Sequence, residues 1–447
     1  MQISLSDHFT YKKLLTFTMP SILMMVFTSI YNAVDGFFVS NYAGETPLAA
    51  VNLIFPLWII CSSFGFVFGA GGTAYVSKTL GEGNRKKANE SFSLFIYTSI
   101  VIGIVVSILG YIFAPMVSKM LGAEGELLEQ SVLYIRILFL LHPFMMLQIE
   151  FQEFCVTAEK PKLGFYVTLA GGFVNIILDA LLVGYYKLGI MGAAIATDIS
   201  VFIGGGVPLL YFTFKNSSLL RLCKCSLDFK ALFKAITNGI SELVNSISGA
   251  IVGFLYNYQL MIYIGEKGVA AFGVLMYVYF FFQSIFIGYA FGSAPLFGFN
   301  FGARKASELK NLLSKSLKLI LFFSLCMFFI GAVFSSSISS LFTSYDESLF
   351  KLTKFALEIC TFAFLFFGFN IFGSAFFTAL SDGITSAKIA GFRSLLIEPA
   401  IIMILPKFFG KDSIWWAVVI AEVVCILVTA CYFVKKRELY LNPKPNY

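Results

Sequence analysis

Three residues with chemistry to offer stand where the chain is otherwise apolar: Asp35, Asn175 and Asp179. Asn175 and Asp179 are four positions apart, which on a helix puts them one turn apart on the same face. Asp35 lies inside an apolar run from Leu14 to Ser40. A bare carboxylate at bilayer depth costs roughly 2.5–3.5 kcal/mol on insertion scales, so a chain keeps one there to face a cavity, an ion or a proton path. If the segments carrying Asp35 and Asp179 are neighbours, two carboxyls and an amide meet. An oxygen-only cluster suits a hard cation such as Na⁺. The same two carboxyls can instead share a proton, because two close negative charges resist ionising together. Both coupling ions stay open, and no other cofactor is expected. The plainer alternative is that Asn175 and Asp179 knit helices together by hydrogen bonds.

The elements that must position these residues are membrane spans. Of the 447 residues, 58% are hydrophobic and 13% charged, whereas soluble domains carry about a quarter charged residues. A span needs about 20 apolar residues. Twelve are expected, at 14–39, 47–77, 91–116, 128–156, 164–186, 190–214, 232–263, 268–292, 312–343, 350–379, 386–408 and 412–434. Pro20, Pro56, Pro143, Pro208, Pro295 and Pro399 are candidate kinks, since proline removes a backbone hydrogen bond inside a helix. Met1 to Lys13 is polar and Pro20 interrupts the first run, so no cleavable signal peptide is evident. Alternate loops hold 24 of the 32 Lys and Arg residues. By the positive-inside rule that face is cytoplasmic, with both termini on it. The net charge of +7 is read the same way, without nucleic acid as a partner. The eight cysteines are scattered, and Cys223 and Cys225, with no His nearby, read as two free thiols rather than a metal site.

The chain also resembles itself. Gly81-Glu82-Gly83-Asn84-Arg85-Lys86-Lys87 after the second span is echoed by Asn300-Phe301-Gly302-Ala303-Arg304-Lys305-Ala306 after the eighth. Asp198, at the start of the sixth span, falls level with Glu422 in the twelfth, and a paired structural role is the expectation for both. The fold expected is all-α and integral to the membrane, with twelve transmembrane helices in two six-helix lobes related by a parallel pseudo-two-fold repeat. The boundaries are 1–215 for the N-terminal lobe, 216–230 for a cytoplasmic linker, 231–434 for the C-terminal lobe and 435–447 for a cytoplasmic tail. Such repeats place a substrate path between the lobes.

Several stretches resemble the multidrug and toxic compound extrusion (MATE) family. They include Ile30-Tyr31-Asn32-Ala33-Val34-Asp35-Gly36, Phe68-Gly69-Ala70-Gly71-Gly72, Asn175-Ile176-Ile177-Leu178-Asp179, Gly192-Ala193-Ala194-Ile195-Ala196-Thr197, Ser241-Glu242 and Ile414-Trp415-Trp416-Ala417. The resemblance runs nearly the whole length, in order. It is closest to the prokaryotic branch with a polar cluster in the N-terminal lobe, and implies that Asp35, Asn175, Asp179 and Thr197 form the ion or proton site. It also implies a secondary antiporter that exports organic cations in multidrug efflux. The expected setting is the inner (plasma) membrane of a bacterium, with the bilayer and small-molecule cations as partners and a single copy as the working unit.

The remaining ionisable and aromatic residues are read in that light. Glu242 is a candidate cation ligand or a helix cap. Tyr256, Met261, Met276, Tyr277 and Gln283 crowd the seventh and eighth spans, where aromatic faces and thioethers suit cations of many shapes; lipid-facing helices look similar. Pro20 is a candidate hinge that responds to the charge on Asp35. Glu150 and Glu153 are expected at the interface, Arg393 and Glu398 as an ion pair, and His142 as a packed residue at a kink. A lipid-linked oligosaccharide flippase of the same wider fold is the nearest alternative. It calls for basic side chains inside spans, and Arg136 and Arg393 are the candidates. An enzyme is not expected: there are two His, no metal-spaced His/Cys set and no phosphate-binding Gly-rich loop.

Overall fold

The computed structural model describes residues 3–344 and 346–441, and among them every regular element is helical. The helices are α1 (Tyr11–Phe38), α2 (Glu45–Gly81), α3 (Arg85–Met120), α4 (Gly125–Leu138), α5 (His142–Thr157), α6 (Pro161–Leu178), α7 (Gly189–Thr213) and α8 (Phe229–Tyr263). They continue as α9 (Glu266–Gly302), α10 (Ala306–Val333), α11 (Ser335–Thr343), α12 (Glu347–Cys360), α13 (Phe364–Ala379), α14 (Gly383–Gly391), α15 (Glu398–Phe409) and α16 (Trp416–Leu441). Eleven helical segments are long and apolar enough to span a bilayer, and α4 with α5, bent by 58°, make the twelfth. The fourth span is therefore broken rather than straight. Pro143 opens α5 in its first turn, where a missing N–H costs nothing, and His142 beside it is buried and stacked on Phe139 at 5.0 Å. The ninth span also ends early. α10 stops at Val333, and Ser335-Ser336-Ser337 open the separate helix α11, since serine side chains compete with the helical ladder.

Wider π turns interrupt the spans at Val39–Ala43, Asp179–Tyr185 and Phe392–Ile397. The second begins on Asp179 in the fifth span and the third contains Arg393 in the eleventh. Single π turns inside helices gather at functional sites.

Glycines close one end of the molecule. A Cβ on Gly81 would stand 2.0 Å from Phe299 O, and one on Gly302 would stand 2.0 Å from Lys78 O. Each pair maps onto the other by the same offset of 221 residues (302 − 81 and 299 − 78), so the two echoing turns touch across the pseudo-two-fold axis. Gly71 and Gly239 press α2 against α8, with Cβ positions 2.0 Å from Ala235 O and 2.1 Å from Val67 O. Gly288 and Gly292 seat α9 on α1 at Ser21, Ile22 and Thr18. At the other end the helices part: Gly249, Gly253 and Gly273 have nothing within 4 Å of a Cβ. The cleft between the lobes is therefore shut on the lysine-rich face and open on the lysine-poor one.

Two extended segments brace the shut face. Ser4 Oγ and the Leu5 N–H donate to Glu159 Oε1, each at 2.7 Å. The Phe9 N–H donates to Glu308 Oε1 at 3.0 Å, and the Phe9 carbonyl accepts from Asn311 and Lys315. This strap joins the α5–α6 turn of one lobe to α10 of the other. The connection between α7 and α8 lies along the N-terminal lobe, where Arg85 donates to the Ser218 and Leu219 carbonyls.

Candidate functional site

The acid cluster forms where α1 meets α6. Gly172 lets them close: a Cβ there would stand 2.4 Å from a Phe27 ring carbon and 2.9 Å from a Tyr31 ring carbon. One turn beyond Tyr31 comes Asp35, and two turns beyond Gly172 comes Asp179. Asp179 is fully buried, and neither of its oxygens has a hydrogen-bond donor. Oδ1 of Asp35 and Oδ1 of Asn175 are likewise without a partner. The two carboxyls face each other closely enough to share a hydrogen bond if one carries a proton. Thr197 on α7 is half-buried, and Gly192 packs that helix on the Leu182 backbone of the π turn. Four orphan oxygens thus converge in a buried place with no basic group beside them among the described residues. Such an arrangement can take a proton or a hard cation.

Two further members of this neighbourhood were not among the expected site residues. Tyr134, buried on α4, lies within electrostatic reach of Asp35, Asp179 and Asp198. Asp198, expected to be paired, is buried with Oδ1 unpartnered. Its repeat partner Glu422 is paired, accepting from Arg393 Nε at 2.9 Å and Asn370 Nδ2 at 2.6 Å. The signal for Asp198 was its position inside a span; the signal for Tyr134 was absent, because a lone tyrosine in a span is ordinary.

A large cavity lies elsewhere, in the C-terminal lobe against α2. It holds about 500 Å³ and is lined by Glu242, Asn245, Tyr256, Met276, Gln283, Arg393 and Glu398 among others. Two of the suggested cavity residues lie outside it. Met261 is 51% exposed, and Tyr277 is 54% exposed and stacks on Phe342. The Tyr277 hydroxyl instead stands 4.0 Å from a Cβ built on Gly36 of α1. The expected Arg393–Glu398 pair is also revised: Arg393 bonds Glu422 and lies over the Phe367 ring at 4.7 Å, because the π turn rotates it toward α16. Glu398 remains on the cavity wall. The guanidinium hydrogen-bonds Glu422 and stays within electrostatic reach of Glu398, so Glu242 is the cavity acid without a basic neighbour among the described residues. Arg136 lies over Tyr111 at 5.2 Å, away from the cavity. Glu150 and Glu153, expected at the interface, are 0% and 1% exposed, since α2, α3 and α7 surround α5. Pro20 is buried within α1, which runs past it unbroken. All eight cysteines are free.

Comparison with known proteins agrees with this architecture. The MatE family model matches residues 20–181 and again 242–404, once in each lobe. The chain is 27% identical over 416 residues to the multidrug export protein MepA of Staphylococcus haemolyticus, covering 93% of this chain and 91% of that one. Its fold is similar to a crystal structure of MATE in complex with MaL6, at a TM-score of 0.92 and 21% identity over 97% and 98% of the two chains. It is also similar to an outward-facing conformation of a multidrug resistance MATE family transporter, at a TM-score of 0.91 and 21% identity over 97% of each. With two matched halves, twelve spans and a cleft between the lobes, the chain belongs to the multidrug and toxic compound extrusion family and is a membrane transporter rather than an enzyme.

Proposed function

We propose that this transporter is a secondary active antiporter that exports amphipathic organic cations by alternating access, driven inward by Na⁺ or H⁺ at Asp35, Asn175, Asp179 and Thr197. The observation that carries this reading is the facing pair Asp35–Asp179, buried among orphan oxygens with no basic partner. An ion or proton arriving there removes the repulsion of two carboxylates and lets α1 and α6 settle together. Departure restores it, and α1, weakened at Pro20 by a missing N–H, is the element placed to respond. The cavity supplies the substrate side. Glu242, which has no basic neighbour among the described residues, favours a cation, and the aromatic and thioether wall discriminates weakly, by about 1–3 kcal/mol per methylene. The relatives' names, multidrug export proteins of bacteria, support the same substrate class and the plasma membrane. With the lysine-rich face in the cytoplasm, the cleft opens outward, and one copy holds both sites.

The flippase reading needs free basic groups to meet a pyrophosphate; Arg393 lies on the cavity wall but is held by Glu422, and Arg136 lies over Tyr111 away from the cavity. Binding assays separate the two. Ethidium and quaternary ammonium cations are expected to bind and an undecaprenyl-linked anion is not; the reverse pattern overturns the reading.

A further inference from the structure

One set of buried acids belongs to neither site. Glu150 and Glu153 lie one turn apart on α5, and Ser99 of α3 donates its hydroxyl to Glu150 Oε1. Glu150 Oε2 and Glu153 Oε1 have no hydrogen-bond partner. Glu153 points at α2, where a Cβ on Gly69 would stand 2.8 Å from Oε1; the glycine leaves the carboxyl its room. Two residues along, Gly71 lets α8 close on α2. α2 is therefore a thin wall, backed by glycine toward α5 and toward α8. Through it Glu153 is within electrostatic reach of Glu242, which lines the cavity.

The helices packed on α5 are α2, α3, α6, α7 and α9. Among the described residues, none of these brings a charged group to the pair. Glu242 of α8 reaches Glu153, and no basic side chain reaches either acid. A lone carboxylate is strongly disfavoured in such surroundings, whereas a neutral acid is not. A proton neutralises each acid where it stands, with the Ser99 hydroxyl already bonded to Glu150.

We propose that Glu150 and Glu153 form a second proton-binding site, in the N-terminal lobe behind the cavity wall, electrostatically linked to Glu242. Each acid takes up one proton as a neutral O–H and releases it as a carboxylate. A carboxylate on Glu153 opposes one on Glu242, so the charge state of the cavity and that of the hidden pair depend on each other. This goes beyond the coupling role of Asp35 and Asp179 and does not rest on it.

Infrared difference spectra of the full-length protein in nanodiscs, between acidic and alkaline buffer in H₂O and D₂O, read protonated carboxyls directly. Wild-type protein and the Asp35→Asn/Asp179→Asn variant are expected to share a deuterium-sensitive acid band that is lost on alkalinisation. Glu150→Gln/Glu153→Gln loses that band, and Glu242→Gln moves its midpoint. The single variant Glu153→Gln, nearly isosteric with the protonated acid, gives the same reading if the double variant does not fold, and it shifts the pH profile of ethidium efflux while keeping the maximal rate. A Gln variant that keeps every wild-type band, a midpoint indifferent to Glu242→Gln, or a uniform loss of efflux at all pH values would each overturn the proposal.

Discussion

Asp179 is fully buried with neither oxygen partnered, and the half-buried Asp35 beside it keeps a buried Oδ1 without a partner. Asp35→Asn and Asp179→Asn are each expected to abolish ion-driven efflux while leaving membrane expression unchanged, and the double variant should be no worse than either, since groups that act as a unit are not additive. Efflux from cells with matched protein levels checks this. A second prediction concerns Arg393. Removing it as Arg393→Gln strands Glu422 in the interior, at an expected cost of about 3–5 kcal/mol, and Arg393→Gln/Glu422→Gln should recover much of it in thermal unfolding of purified protein. Residue identity told part of this in advance. A carboxyl inside an apolar run is conspicuous, and spacing put Asn175 and Asp179 on one face. Which oxygens lack donors was not legible, because Asp198 and Glu422 look alike in the repeat and only Glu422 faces an arginine. That depends on a π turn that rotates Arg393 and has no clear mark in the sequence.

The elements are governed by glycine where they touch and by proline and serine where they break. Gly71 sits where α2 meets α8, with the Ala235 carbonyl filling the space a side chain would need. Gly71→Val is expected to overpack this contact by about 1–3 kcal/mol and so disfavour closure of the lysine-rich face. Cysteine probes near Gly302 should then become reachable from the lysine-rich side. Unchanged labelling would mean that this contact does not hold the face shut. Glu159 offers an independent test, since it anchors the strap through Ser4 and Leu5; Glu159→Ala should give the same direction of change, to a smaller degree. Apolar length made the spans legible within a few residues. The bend between α4 and α5 had a visible cause in Pro143, but its 58° angle and the stacking of His142 on Phe139 across it had no mark in the sequence. The early stop of α10 came from local serines that an apolar average overlooks.

For the whole molecule, the pseudo-two-fold turns a chain of helices into two lobes with one cleft, and the echo between Gly81 and Gly302 was its sequence trace. The cavity's place could not be read that way. It lies mostly in the C-terminal lobe, with Gly249 and Gly253 on its wall, and Met261 and Tyr277 resemble cavity residues in composition while lying outside its lining. Orientation is testable in a cysteine-free background: position 187 should label from outside the cell and position 221 only from within, and the opposite pattern would overturn the assignment from charge. An imposed gradient has the energy for export, since one charge moved through 100 mV is worth about 2.3 kcal/mol. The central claim is that the Asp35–Asp179 pair couples such a gradient to cation movement. Uphill transport of ethidium in proteoliposomes, under a Na⁺ gradient alone and a H⁺ gradient alone, measures it most directly. Wild-type protein should concentrate ethidium under one of these gradients and Asp179→Asn protein under neither; uphill transport by Asp179→Asn at the wild-type rate would contradict the account.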